Sequence, residues 1–139
     1  MATWVKGKTR VKAFATAAST AYLVGDLIAY PATQDNTIIV STSTTDKQLG
    51  ICLQAKAASD TTTDPILVEV AAEPFCEFEC ATTSLVATDV GGYFDLTDAR
   101  TVNRGATAND AVVCTSFLSA TLGRFMLNSF VGTHSETWP

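Results

Sequence analysis

The sequence predicts an all-β fold: a small barrel or sandwich with an extended N-terminal arm and at most one short helix. Three observations predict it. Between Asp64 and Asn128 the chain reads DPILVEV, EPFCEFEC, SLVATDVGGYFDLTDARTVNRGA, AVVCTSFLSA and LGRFMLN. These are short runs rich in Val, Ile, Phe, Thr and Cys, bounded by Pro, Gly, Asp or Asn, as strands and their connections are. Thr and Ala dominate the composition, and Thr suits half-exposed strands because its β-branch restricts χ1 while its hydroxyl faces water. Finally, 139 residues make one domain of common size.

Taken in order, residues 1–12 read as an extended arm, residues 13–128 as one β domain and residues 129–139 as an irregular tail. The one helix candidate lies around Thr16–Leu23. DLIAYP, from Asp26 to Pro31, is the first clear strand, entered through Gly25–Asp26 and stopped by a proline. TQDN, ending at Asn36, is a turn with Asx chemistry, and TIIVST follows as a strand. Leu49–Gln54 is the next strand, with Gly50 marking a bulge or a close backbone approach. Residues 55–65 form a polar loop or hold a single helical turn. ILVEV and FCEFEC are expected to pair antiparallel across Ala71–Pro74. Gly91–Gly92 turns the chain ahead of a Tyr93–Leu96 strand, and Asn103–Gly105 suits positive φ. AVVCTSFLSA and GRFMLN close the domain as a hairpin turning at Thr121–Gly123.

The charge is uneven. Lys6, Lys8, Arg10 and Lys12 lie in a stretch without an acid, and the remaining residues carry five basic and fourteen acidic groups, a balance of −9. An acidic body repels phosphate, so no nucleic-acid partner is expected. If the first twelve residues extend, the four cations share one strand face. They then serve either as lysines guarding an edge or as a positive arm for an acidic partner surface. No run reaches the ~20 apolar residues of a membrane span, and the basic start lacks an apolar signal core. A chain made in the cytoplasm, with no membrane partner and no export signal, is expected.

Little chemistry is on offer. Cys76, Phe78 and Cys80 alternate with Glu77 and Glu79, which places both thiols on an apolar strand face. Cys52 and Cys114 have equally apolar neighbours. Buried free thiols are therefore expected, and no zinc knuckle is present. The only histidine, His134, sits in the irregular tail, without a positioned partner for acid–base work. No glycine-rich phosphate cradle occurs. Glu77 and Glu79 would lie ~6.5–7 Å apart on one strand face, a separation compatible with two-carboxylate hydrolysis. The same spacing is commonplace on solvated strands, and no aromatic platform accompanies it. Asp89, Asp95 and Asp98 flank glycines but lack the calcium-loop pattern and its closing Glu, so they read as turn-formers. No catalytic, cofactor or metal site is expected.

With these residues in view, the chain resembles the tailed-phage head decoration, or capsid cement, proteins of the lambda type. The likeness is carried by the basic start continuing into VGDLIAY, by LGICLQAKAASDTTTDPILVEV, by ECATTSLVATDVGGYFDLTDARTVNRGA and by VVCTSFLSATLGRFMLN. It covers most of residues 5–128 and is one of pattern and order, without a catalytic signature. The resemblance implies a β-tulip domain that adds to the outer surface of an icosahedral capsid and stabilises the expanded shell. It further implies the major capsid protein as partner and a homo-oligomer, a trimer rather than a dimer. The arm that orders on the shell by adding a strand to it would be Thr3, Trp4, Val5, Lys6, Lys8, Arg10 and Lys12. On that view, deleting residues 1–12 abolishes capsid binding and leaves the domain folded. The competing expectations are a tail-tube or head–tail joining protein, a small hydrolase using Glu77 and Glu79, and a sugar-binding module. The last is weakened because Trp4 and Trp138 both lie near the chain ends.

Overall fold

A computed structural model describes residues 1–31, 36–43 and 48–128. The strands are β1 (Thr3–Lys6), β2 (Thr9–Phe14), β3 (Leu27–Ala29), β4 (Ile39–Val40), β5 (Gln48–Cys52), β6 (Ile66–Ala71), β7 (Glu77–Thr82), β8 (Tyr93–Asp98), β9 (Thr101–Asn103), β10 (Val112–Ser119) and β11 (Leu122–Leu127). A 3₁₀ turn at Ala87–Asp89 is the one helical element among the described residues. The chain is all-β. None of its described helices is long and apolar enough to cross a membrane.

The strands form two sheets. The first, in order β1-β7-β11-β10-β8-β9, closes because β9 returns to pair in parallel with β7 through Ala81↔Thr101 and Thr82↔Val102. Five strands thus make a barrel. The sixth, β1, pairs with the other half of β7 at Thr3↔Glu79 and Trp4↔Phe78. Alternation dictates which side chains fill it: Phe78 and Cys80 on β7, Phe125 and Leu127 on β11, Val112 and Cys114 on β10 all point inward and are buried. The second sheet, β2-β6-β5-β3-β4, is open. It lies between two apolar clusters. Leu27 and Ile51 join the barrel core, whereas the next residues, Ile28 and Cys52, join a second core with Tyr22, Ile38 and Val68. Burial on both faces explains why β3 and β5 read as unbroken apolar runs instead of alternating ones.

Polar contacts fasten the open sheet to the barrel. Leu27 N–H donates to Ala99 O at 2.8 Å. Arg100 Nε reaches the buried carboxylate of Asp26 at 2.7 Å, and its Nη2 donates to Val24 O at 2.7 Å. The second core is capped by Tyr22, whose hydroxyl donates to Ile38 O at 2.6 Å and accepts Ala17 N–H at 3.0 Å. Lys56 is buried beside it. Its ammonium donates to Ala17 O at 3.2 Å and Thr62 O at 2.7 Å, so the long polar loop is pinned by a charge whose hydrogen bonds are met.

Several expectations change. Thr16–Leu23 is not helical: Thr16 and Tyr22 bridge to Ile38 and Lys56, and Ser19 takes φ 56°. Burying Tyr22 with its hydroxyl bonded outweighs local helix propensity. β6 and β7 do not pair. Both edges of β6 are taken by β2 and β5, and the turn after Ala71 carries the chain into the other sheet. Asn103 and Gly105 do not take positive φ, whereas Asp110 does. The loop from 55 to 65 holds no helical turn. The TQDN turn lies almost entirely outside the described residues, as do His134, Trp138 and the whole 129–139 tail. As expected, Gly50 marks a close approach: a Cβ there would stand 2.3 Å from Glu69 O. The final hairpin forms, turning at Ala120–Thr121.

Candidate functional site

The seven residues singled out at the N-terminus fall on two strands and the turn between them, not on one arm: Thr3 to Lys6 in β1, Lys8 in the turn, Arg10 and Lys12 in β2. Gly7, at φ 92°, breaks the run and passes the chain from the barrel side to the open sheet. Lys6, Lys8, Arg10 and Lys12 therefore do not line a single strand. Thr3 faces solvent opposite Glu79. Trp4 is half-buried, its ring edge-on to Phe78 at 5.6 Å and its indole N–H donating to Glu69 O at 2.9 Å. Val5 occupies the register shift between Trp4 and Lys6 and is exposed. Lys6 pairs with Glu77 at 3.5 Å. With Ala2 in the barrel core and β1 hydrogen bonded to β7, removing residues 1–12 would strip the strand added to the barrel and most of the edge strand of the open sheet. The expectation of a folded domain after that deletion is revised accordingly.

β2 is the part of this segment that remains available. Its register with β6 is continuous from Thr9↔Ala71 to Phe14↔Ile66, and no other described strand pairs with it. One row of its backbone N–H and C=O groups is thus open, the geometry that accepts an added strand. Arg10 and Lys12 stand opposite Val70 and Val68, on the sheet face that carries the second core, and both reach solvent at its rim. Among the described residues, the ion pairs are Lys6–Glu77, Arg100–Asp26, Arg104–Asp89 and Arg124–Glu79. Lys8, Arg10 and Lys12 take no part in them. The open edge therefore carries three cations, with two carboxylates close by: Glu69 accepts from the Thr9 hydroxyl and Glu73 accepts Lys8 N–H at 2.9 Å. On the opposite face, Val11, Leu67 and Leu53 add an exposed apolar stripe across β2, β6 and the end of β5.

The acids considered for chemistry are engaged structurally. Glu77 accepts from Thr115 at 2.7 Å as well as pairing with Lys6, and Glu79 lies 3.7 Å from Arg124. Asp95 is buried and accepts the backbone N–H groups of Asn109 and Asp110 at 2.7 and 2.8 Å, holding the polar loop after β9 in place. Asp98 accepts Arg100 N–H at 2.8 Å. The hydrogen bond from Arg104, aided by one from Val86 N–H, holds Asp89 below the usual carboxylate range. No group of three metal-binding side chains gathers among the described residues. All four thiols are buried and free; burial pushes Cys80 up to about 12 and raises Cys52, Cys76 and Cys114 as well. Such thiols are poor nucleophiles.

Two apolar features escaped the reading of the sequence. The tip of the β10–β11 hairpin exposes Phe117, Leu118 and Leu122, because β10 pairs with β8 only at Val112 and Val113 and then projects beyond it. Phe75, in the β6–β7 turn, is exposed at φ 66°. Its one sequence signal was the preceding Pro74. No family model matches the chain, and no curated protein matches it.

Proposed function

We propose that this chain is a virion structural protein that binds the outer surface of an icosahedral phage capsid and stabilises the expanded shell. Its partner is the major capsid protein, and it acts by binding, not by catalysis. The observation that carries the reading is the unpaired edge of β2, bearing Arg10 and Lys12, on the open sheet that is fastened to the closed barrel. The resemblance of residues 5–128 to capsid cement proteins supports it. An edge of this kind accepts an extended segment of the shell protein as an added strand, with main-chain bonds for affinity and cations for selecting an acidic neighbour. Because β2 is already folded, docking costs less ordering entropy than a disordered arm would. Assembly into a homo-oligomer, a trimer by the same resemblance, would multiply modest contacts into tight attachment.

A second reading, a tail-tube or head–tail joining protein, draws on the exposed apolar hairpin tip, since such proteins polymerise through projecting loops or hairpins. Light scattering followed by co-sedimentation with empty expanded capsids of the source virus separates the two. The decoration reading expects saturable binding at a fixed ratio to the shell protein, lost in the double variant R10E/K12E while the fold persists. Rings or tubes formed by the protein alone, without shell binding, would refute it.

A further inference from the structure

We infer that the end of the barrel around the β10–β11 hairpin is a self-association surface, which packs against the same end of a second copy of this chain. Folding does not account for its composition. Burial falls along β10 from three buried residues at its start to three exposed ones at its end, so the barrel core uses only the first part of the strand. The exposed part nevertheless carries Phe117 and Leu118, with Leu122 across the turn. Successive strand residues point to opposite faces, which leaves the hairpin apolar on both sides. Val86 and Val90 enlarge the surface. Their segment is stitched to the hairpin: Leu85 N–H donates to Ala120 O at 2.9 Å, and Gly91 N–H donates to Cys114 O at 2.8 Å. Leu85 also packs against Gly123, where a Cβ would stand 2.8 Å from its Cδ2. Five large apolar side chains thus gather at one end, a grouping that marks an interaction site and not scattered surface residues.

Charge selects the occupant. The chain has a formal net charge of −5, so copies repel wherever their surplus carboxylates face one another. At this end no surplus is presented. No exposed residue in segments 83–91 and 117–122 is charged. Asp89, the one acid within them, has a side chain only 11% exposed and pairs with Arg104 at 2.9 Å. The charges that follow on β11 and β7, Arg124 and Glu79, face each other at 3.7 Å. A surface that is apolar at its centre, with its bordering charges already paired, has the composition of a contact between identical chains. The other exposed apolar stripe lacks that composition, because Val11 stands opposite Glu69 on the strand that bears Arg10 and Lys12. Tip therefore meets tip, and the contact closes on a discrete oligomer instead of propagating. The contact forms without the capsid and does not rest on the decoration reading, although that reading uses the resulting oligomer.

The test is light scattering of the full chain over a concentration series, for wild type, L118E and F117S/L118S, with far-UV circular dichroism as the check on folding. Wild type should show two or more times the chain mass, unchanged or increased at high salt, since screening removes only repulsion. Both variants should keep the wild-type spectrum, because the replaced side chains are exposed, and should dissociate at least about tenfold more readily. A monomeric wild type would overturn the inference; oligomers that appeared only on removing residues 129–139 would then make the chain's own tail the occupant. An oligomer that both variants retain would also overturn it, by putting the contact elsewhere. Dissociation of the wild type at high salt would do the same, by making the contact one between charges. Open tubes would overturn the tip-to-tip arrangement. Variants that stay oligomeric but lose sedimentation with expanded capsids would assign the tip to the shell protein instead.

Discussion

Replacing Trp4 tests whether the N-terminal strand belongs to the body of the fold. The indole spans both sheets: its ring meets Phe78 of the barrel edge-on at 5.6 Å, and its N–H donates to Glu69 O on β6 at 2.9 Å. Trp4→Phe keeps most of the apolar contact and removes the hydrogen bond, for a loss of about 1 kcal/mol. Trp4→Ala also removes the aromatic pair, worth ~1 kcal/mol, and about half of a large side chain's burial, worth ~2 kcal/mol. The total is about 4 kcal/mol, within the range seen for Trp→Ala in protein interiors and a large share of the ~5–15 kcal/mol of a typical domain. The assay is urea unfolding followed by far-UV circular dichroism, comparing midpoints at constant slope. A loss below ~0.5 kcal/mol for Trp4→Ala would refute the reasoning, since it would make β1 an appendage.

Three further outcomes follow from the geometry. Gly50→Ala forces a Cβ to within 2.3 Å of Glu69 O, parting β5 from β6, and should cost about 2–3 kcal/mol in the same assay; a neutral result would contradict the close approach. Asp89 is held below the usual carboxylate range chiefly by Arg104, so its contribution is present above the unfolded value near pH ~4 and is lost as pH falls through the lowered folded value. Arg104→Ala should therefore lower the thermal midpoint at pH 7 and have little effect at pH 2, and an equal effect at both would argue against the ion pair. Burial raises Cys80 from 9.0 to about 12, so its stabilising contribution is complete below pH 9 and declines as pH rises toward 12. Cys80→Ala should flatten the alkaline fall in urea midpoint between pH 8.5 and 10.5, and an unchanged slope would count against the burial argument.

What was legible in the sequence was whatever a strand's own period encodes. Phe78 and Cys80 turn into the barrel core, and Glu77 and Glu79 are only part-buried, because alternation is local, whereas Cys76, just before β7, is buried against Gly7 in the turn. The β10–β11 hairpin and the turn at Gly91, with φ 90°, were equally readable from turn chemistry. Pairing across the chain was not. Nothing near β7 announces that β1 and β9 divide one of its edges, or that two residue pairs with β9 close the barrel. The expected pairing of β6 with β7 followed from their proximity in sequence, but both edges of β6 were claimed by β2 and β5. The basic run was read as one extended face because Gly7 gives no local sign that it separates two sheets. Phe75 was missed for a related reason: its strain and exposure are properties of a folded turn, and Pro74 alone does not encode them.

One titration tests capsid decoration most directly: labelled full-length protein against expanded and precursor capsids of the source virus, with bound protein counted per shell subunit. Saturation at a fixed ratio on expanded shells, with no binding to precursor shells, is the predicted result. Absence of binding to either shell at micromolar protein would contradict it.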